Sequence, residues 1–98
     1  MFSTPTQITF SEDLLQDRTV LEIIASDRPG LLSEIGRVFL SEQIDVATAK
    51  IMTVGERAED VFYITDGQGR PLGERARQQL QERLTAALDR RDATQRIA

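Results

Sequence analysis

The hydrophobic period of this chain switches from two to 3.6 at Pro29-Gly30, and that change limits the folds open to it. Before the switch, "RTVLEIIA" (Arg18 to Ala25) is rich in β-branched residues. It alternates Leu21, Ile23 and Ala25 with Val20, Glu22 and Ile24, as a strand requires. After the switch, Leu31, Leu32, Ile35, Val38 and Phe39 fall at helical spacing while Ser33, Glu34, Arg37 and Glu42 face away. The spacing predicts a helix from Pro29 to near Gln43. A strand feeding directly into a helix through Asp27-Arg28-Pro29-Gly30 is thus the organising feature.

The flanking segments complete the pattern. "QITF", Gln7 to Phe10, reads as a short strand with Ile8 and Phe10 on one face, and the polar connection "SEDLLQD" makes it the hairpin partner of the next strand. "IDVATAKIMTV" and "EDVFYIT", joined by the turn "GERA", read as a second hairpin whose Ala49, Ile51, Phe62 and Ile64 share a buried face. "DGQGRPLG" is dense in turn residues. From Glu74, Ala76, Leu80, Leu84, Ala87 and Leu88 mark a long second helix, after which "DRRDATQRIA" dissolves into polarity. The domain therefore spans 7–90, with residues 1–6 a flexible lead-in and 91–98 a polar tail.

The order β-β-α-β-β-α predicts an α+β fold: a four-stranded antiparallel sheet with both helices on one face. In a ferredoxin-like β-α-β-β-α-β sheet the last strand lies antiparallel beside the first. No strand is expected after the second helix, so Ile8 to Phe10 is expected to fill that slot, as in a circular permutation.

Composition removes whole classes of chemistry. Ninety-eight residues make one small domain, too small to enclose a deep catalytic cavity. The absence of Cys and His excludes disulfides, thiolate zinc sites, cysteine nucleophiles and histidine triads. Without His, only scattered Asp and Glu remain as metal ligands, and no metal or catalytic site is expected. No stretch approaches the ~20 apolar residues of a membrane span, so a cytoplasmic location and no membrane partner are expected. A net charge of −4, with Lys50 the single lysine, argues against nucleic acid. A sheet-face RNA site would also need aromatics set among basic residues, and Tyr63 stands nearly alone. Arg28 as an acyl-phosphate hydrolase residue lacks a catalytic partner.

The loop Asp27-Arg28-Pro29-Gly30 is the candidate site. Pro29 suits a first helical turn, where its missing N–H is no loss, and this places Gly30 in the same turn. Backbone N–H groups there have no intrahelical acceptor, and a bare Gly30 lets a carboxylate approach them. Asp27 would either cap the helix or receive an ammonium group. The bland alternative is a tight turn with an Asp cap. Asp45, at the start of the next strand, is expected near the loop of a partner domain or else in solvent.

The stretch "TVLEIIASDRPGLLSEIGRVFLSEQIDVATAKIMTVGERAEDVFYITD" resembles an ACT domain, the small ligand-binding module of many amino-acid-controlled enzymes. "DRPGLL" carries the general resemblance. "AKIMTVGERAEDVFYITDGQGRPL" makes it more similar to the C-terminal ACT repeats of bifunctional uridylyltransferase/uridylyl-removing enzymes, which modify the PII nitrogen-signalling protein. The resemblance implies a regulatory, non-enzymatic fragment that senses glutamine or another small amino acid. The nucleotidyltransferase and phosphohydrolase domains, with a divalent metal such as Mg, would lie upstream. It also implies pairing with a neighbouring ACT repeat or as a homodimer. Ligand contacts carry over to Asp27, Arg28, Pro29, the backbone at Gly30, Leu31 and Leu32, and Asp45. Both acidic positions are Asn in the serine sensor of the family; ionised Asp only accepts hydrogen bonds, which favours an ammonium group. The alternative function is a structural module that pairs domains and binds nothing.

Overall fold

The two most strongly alternating segments form the centre of the sheet. In the computed structural model, which describes residues 4–97, the elements are β1 (Gln7–Asp13), β2 (Arg18–Ser26), α1 (Leu31–Ser41), β3 (Asp45–Lys50), β4 (Thr53–Val54), β5 (Arg57–Thr65) and α2 (Glu74–Ile97). The antiparallel sheet runs β1-β2-β5-β3, and the two-residue β4 pairs with the start of β5. This is the expected α+β, ferredoxin-like arrangement. β1 lies antiparallel along β2, with Ile8 opposite Ile23 and Phe10 opposite Leu21. The N-terminal strand thus fills the slot anticipated for it.

Period two decides what is buried. Leu21, Ile23 and Ala25 of β2 and Ala58, Phe62 and Ile64 of β5 form one apolar cluster with Leu31, Ile35, Val38 and Phe39 of α1 and Leu80, Leu84 and Leu88 of α2. Both helices therefore cover the same face of the sheet. Phe39 meets Phe62 edge to face, with ring centroids 5.2 Å apart, an arrangement that adds about 1 kcal/mol beyond area burial. The α2 side chains hold the assembly at its rim. Arg77 pairs with Glu12 of β1 at 3.2 Å, and Arg83 and Gln79 both reach Glu42 beyond α1.

Several boundaries differ from those the sequence suggests. Ser11–Asp13 continue β1 instead of forming a polar connection, because Thr19 and Val20 of β2 offer a ladder whatever the side chains' polarity. Ala49 lies opposite Phe62 in the ladder, yet neither Ala49 nor Ile51 is buried with Phe62 and Ile64. All of β3 is exposed, and Ile51 keeps 49% of its surface. β3, like β1, is an edge strand, and the buried cluster draws on the helices and on β2 and β5 instead. Leu32 is likewise 48% exposed and Ala76 is exposed. α2 stays helical through Ile97, past the last apolar position of its sequence stripe, where Arg, Ala and Gln carry good helix propensity. In the lead-in, Thr4 exchanges hydrogen bonds with the Ser26 hydroxyl; residues 1–3 lie outside the described residues.

Candidate functional site

The chain between β2 and α1 must reverse direction in four residues, and its conformation follows from that. Leu31 N–H donates to Arg28 C=O at 3.3 Å, closing a turn in which Gly30 sits at φ 84°, ψ 0°. These are the angles of position i+2 in a type II turn, with proline at i+1. Pro29 and Gly30 therefore precede the helix instead of opening its first turn. The positive φ that the reversal requires is incompatible with helical backbone, and it is why glycine stands at position 30. α1 has no side-chain cap, so Asp27 does not cap it. Asp27 is instead fixed through its backbone, donating N–H to Glu56 C=O at 2.9 Å.

The first intrahelical bond runs from Glu34 N–H to Gly30 C=O. The amides of Leu32 and Ser33 accordingly have no intrahelical acceptor, and they sit where the helix dipole is positive. They border a cleft of about 190 Å³ lined by Asp27, Arg28, Gly30, Leu31, Leu32 and Ser33 on one side and Ile51, Met52, Thr53, Ala58 and Asp60 on the other. The far wall is the break between β3 and β4. There Met52 N–H donates to an Asp60 carboxylate oxygen at 3.3 Å, and Met52 C=O accepts from Glu59 N–H.

Asp60 is the residue that sequence reasoning missed. It is 1% exposed and lies opposite Ile23 in the β2–β5 ladder. Burial raises its pKa, the Met52 hydrogen bond opposes that shift, and the nearby charge of Asp27 reinforces it. A signal for it exists in the sequence: positions 58, 60, 62 and 64 share one face of β5, and an Asp interrupts Ala, Phe and Ile there. Arg28 reaches away from the turn, its guanidinium donating to Leu88 C=O of α2 at 3.0 Å.

Of the residues singled out from sequence, Asp27, Arg28, Gly30, Leu31 and Leu32 line the cleft, and Pro29 shapes the turn. Asp45 does not join them. It pairs with Thr65 at the far end of β5, on the order of 30 Å from the Glu56 end at ~3.3 Å per residue. There it lines a shallower depression of about 600 Å³ with Leu40, Gln43, Ile44, Gly67 and Gln68. Among the described residues no three acidic side chains gather into a group that would hold a metal ion. No helix among them is long and apolar enough to cross a membrane.

The ACT domain family pattern matches residues 19–82, from β2 into α2. The chain is an ACT domain. The turn, the cleft and the exposed β3 edge all lie within the matched span. This ACT domain is 52% identical over 87 residues to a bifunctional uridylyltransferase/uridylyl-removing enzyme of Pseudomonas aeruginosa, covering 89% of the chain. Over 73 residues, 74% of the chain, it is 49% identical to the enzyme of the same name from Stutzerimonas stutzeri and 52% identical to that of Pseudomonas entomophila. The ACT domain spans only 9%, 8% and 8% of these relatives' lengths.

Proposed function

We propose that this ACT domain is a regulatory amino-acid sensor, with glutamine as its ligand, belonging to a uridylyltransferase/uridylyl-removing enzyme that acts on PII protein. The observation that carries the reading is the cleft at the β2–α1 turn. It places two helix amides that have no intrahelical acceptor beside acidic side chains, donors for an α-carboxylate and acceptors for an α-ammonium group. Its volume of about 190 Å³ is below the ~300 Å³ at which pockets for drug-sized ligands begin, which suits a ligand of amino-acid size. Catalysis belongs to domains outside this chain, and any divalent metal would act there.

The exposed edge supports a site completed by a second module. β3 exposes Val46, and Ile51, Met52 and Val54 continue the apolar edge beyond it. An unpaired edge of this kind invites strand pairing. Two-fold antiparallel pairing of β3 with the same strand of a second copy, or of a neighbouring ACT repeat, sets Asp45 of one module across from Lys50 of the other. That position adjoins Ile51 and Met52 of the cleft, so Asp45 would act at the partner's site. Coupling of about 1–3 kcal/mol between ligand and packing is what an allosteric signal needs. The same edge supports the alternative, a module that only pairs domains.

Calorimetric titration with glutamine, of the chain alone and joined to its preceding repeat, separates the two. A sensor releases or absorbs heat saturably, and Asp27→Ala weakens the response while pairing persists. Silence in both forms, with pairing intact, leaves only the assembly role.

A further inference from the structure

We propose that the Asp60 carboxylate is the anchor for the ammonium group of the ligand that occupies the cleft, a role that rests on reading this cleft as an amino-acid site. Asp60 is 1% exposed, lines the cleft, and stands on the buried face of β5. Its neighbours on that face, Ala58 and Phe62, are apolar, and Ile23 lies opposite in the ladder. A carboxylate placed there without a charged partner is unfavourable. Among the described residues its hydrogen bond is the 3.3 Å contact from Met52 N–H, which a neutral amide oxygen could also accept. The acid is therefore not needed for the strand break alone.

The cleft's charges point the same way. Among the described residues, the carboxylates of Asp27 and Asp60 line it, and the guanidinium of Arg28 donates to Leu88 C=O on α2. The interior wall is thus negative and the mouth, at the Leu32 and Ser33 amides, is positive. An α-amino acid oriented with its ammonium group inward and its carboxylate at the helix matches both ends. A cation held by a buried acid also discriminates more sharply than one held by an exposed acid, because removing either partner strands the other out of water. Asp27, which is exposed, is the weaker acceptor on this ground.

The test follows amide shifts of the 98-residue chain by two-dimensional NMR with three probes: L-glutamine, its deaminated analogue 4-carbamoylbutanoate, and ethylammonium chloride. The Met52 amide reports on the Asp60 carboxylate. Glutamine is expected to move the Met52 amide saturably, with 4-carbamoylbutanoate binding about tenfold more weakly or worse. Asp60→Asn, which preserves the Met52 hydrogen bond, is expected to bring the two ligands to the same weak affinity. Ethylammonium is expected to move Met52 in the unaltered chain and not in Asp60→Asn. Should glutamine saturate the Leu32 and Ser33 amides while Met52 stays still, or bind Asp60→Asn undiminished, the anchor is wrong and the amino-acid site survives. Ethylammonium binding at Met52 without glutamine binding has the reverse meaning. If no probe moves Met52 at tens of millimolar, the anchor is overturned. The Met52 readout in the unaltered chain decides the matter even if the variant fails to fold.

Discussion

The guanidinium of Arg28 donates a hydrogen bond of 3.0 Å to the carbonyl of Leu88, sixty residues away in sequence. This contact ties the turn that borders the cleft to the middle of α2, whose Leu88 side chain is itself fully buried in the core. Arg28→Ala is expected to destabilise the domain by about 1.5–3 kcal/mol, the range for a hydrogen bond involving a charged group. Arg28→Lys should recover only part of it, since an ammonium lacks the planar reach of guanidinium. Urea unfolding measures both; midpoints matching the unaltered chain would show that the tie carries no energy.

Two glycines six residues apart should respond in opposite directions to the same substitution. Gly30 holds φ at 84° in the type II turn, where a Cβ is strained by about 1 kcal/mol or more. Gly36 lies inside α1, and a Cβ added there meets nothing within 4 Å. Gly30→Ala is expected to lower stability and Gly36→Ala to raise it by up to about 1 kcal/mol. Thermal melting of the pair checks the signs; equal shifts would refute the turn assignment.

The element order was legible because each strand and helix carries its own apolar period, and the hairpin of β1 with β2 followed from a short connection. The role of β3 was not. Its residues alternate like those of any strand, and only the sheet order shows that it is an edge left outside the core, so Ala49 and Ile51 are exposed while Phe62 and Ile64 are buried. The site was half legible for a similar reason. Pro29 and Gly30 announce a turn from local chemistry, whereas Asp60 enters the cleft from a strand thirty residues further on. Asp60 departs from its own strand's pattern, but what it faces is decided by the pairing of β5 with β2. Asp45, expected near the loop of a partner domain or in solvent, is exposed within this chain, at the start of a strand whose other end borders the cleft.

Thr19 is fully buried, and its hydroxyl accepts the Leu72 N–H at 2.8 Å. The bond fixes the segment between the Asp66 loop and α2 against the sheet, with Leu72 itself buried. Thr19→Val keeps the shape and removes the acceptor, leaving a buried amide unpaired, so a loss of about 1–3 kcal/mol is expected. Thr19→Ser should fall between the two because it retains the oxygen and loses a packed methyl. Hydrogen exchange at the Leu72 amide gives an independent reading: it should accelerate in Thr19→Val far more than in Thr19→Ser, and equal rates would mean the bond does not hold the segment.

Two aspartates set opposing trends of stability with pH. Burial raises the pKa of Asp60, with Met52 N–H opposing and the charge of Asp27 reinforcing the shift. Between the ordinary aspartate value of about 3.9 and its higher folded value, the native state binds more protons than the unfolded chain. Stability contributed by Asp60 is therefore lost as pH rises through that window. Asp66 is the reverse case: its carboxylate accepts N–H bonds from Arg70 and Gln68 at 3.0 and 2.8 Å, which lower its pKa. Its contribution is present above about pH 3.9 and lost as pH falls through its depressed folded value. Asp60→Asn is expected to flatten the upper slope, and Asp66→Ala the lower one. Urea unfolding between about pH 3 and pH 7 reads both slopes in one series. Parallel curves for the unaltered chain and Asp60→Asn would mean that Asp60 is solvated in the folded domain, and the buried acid at the cleft wall would have to be given up.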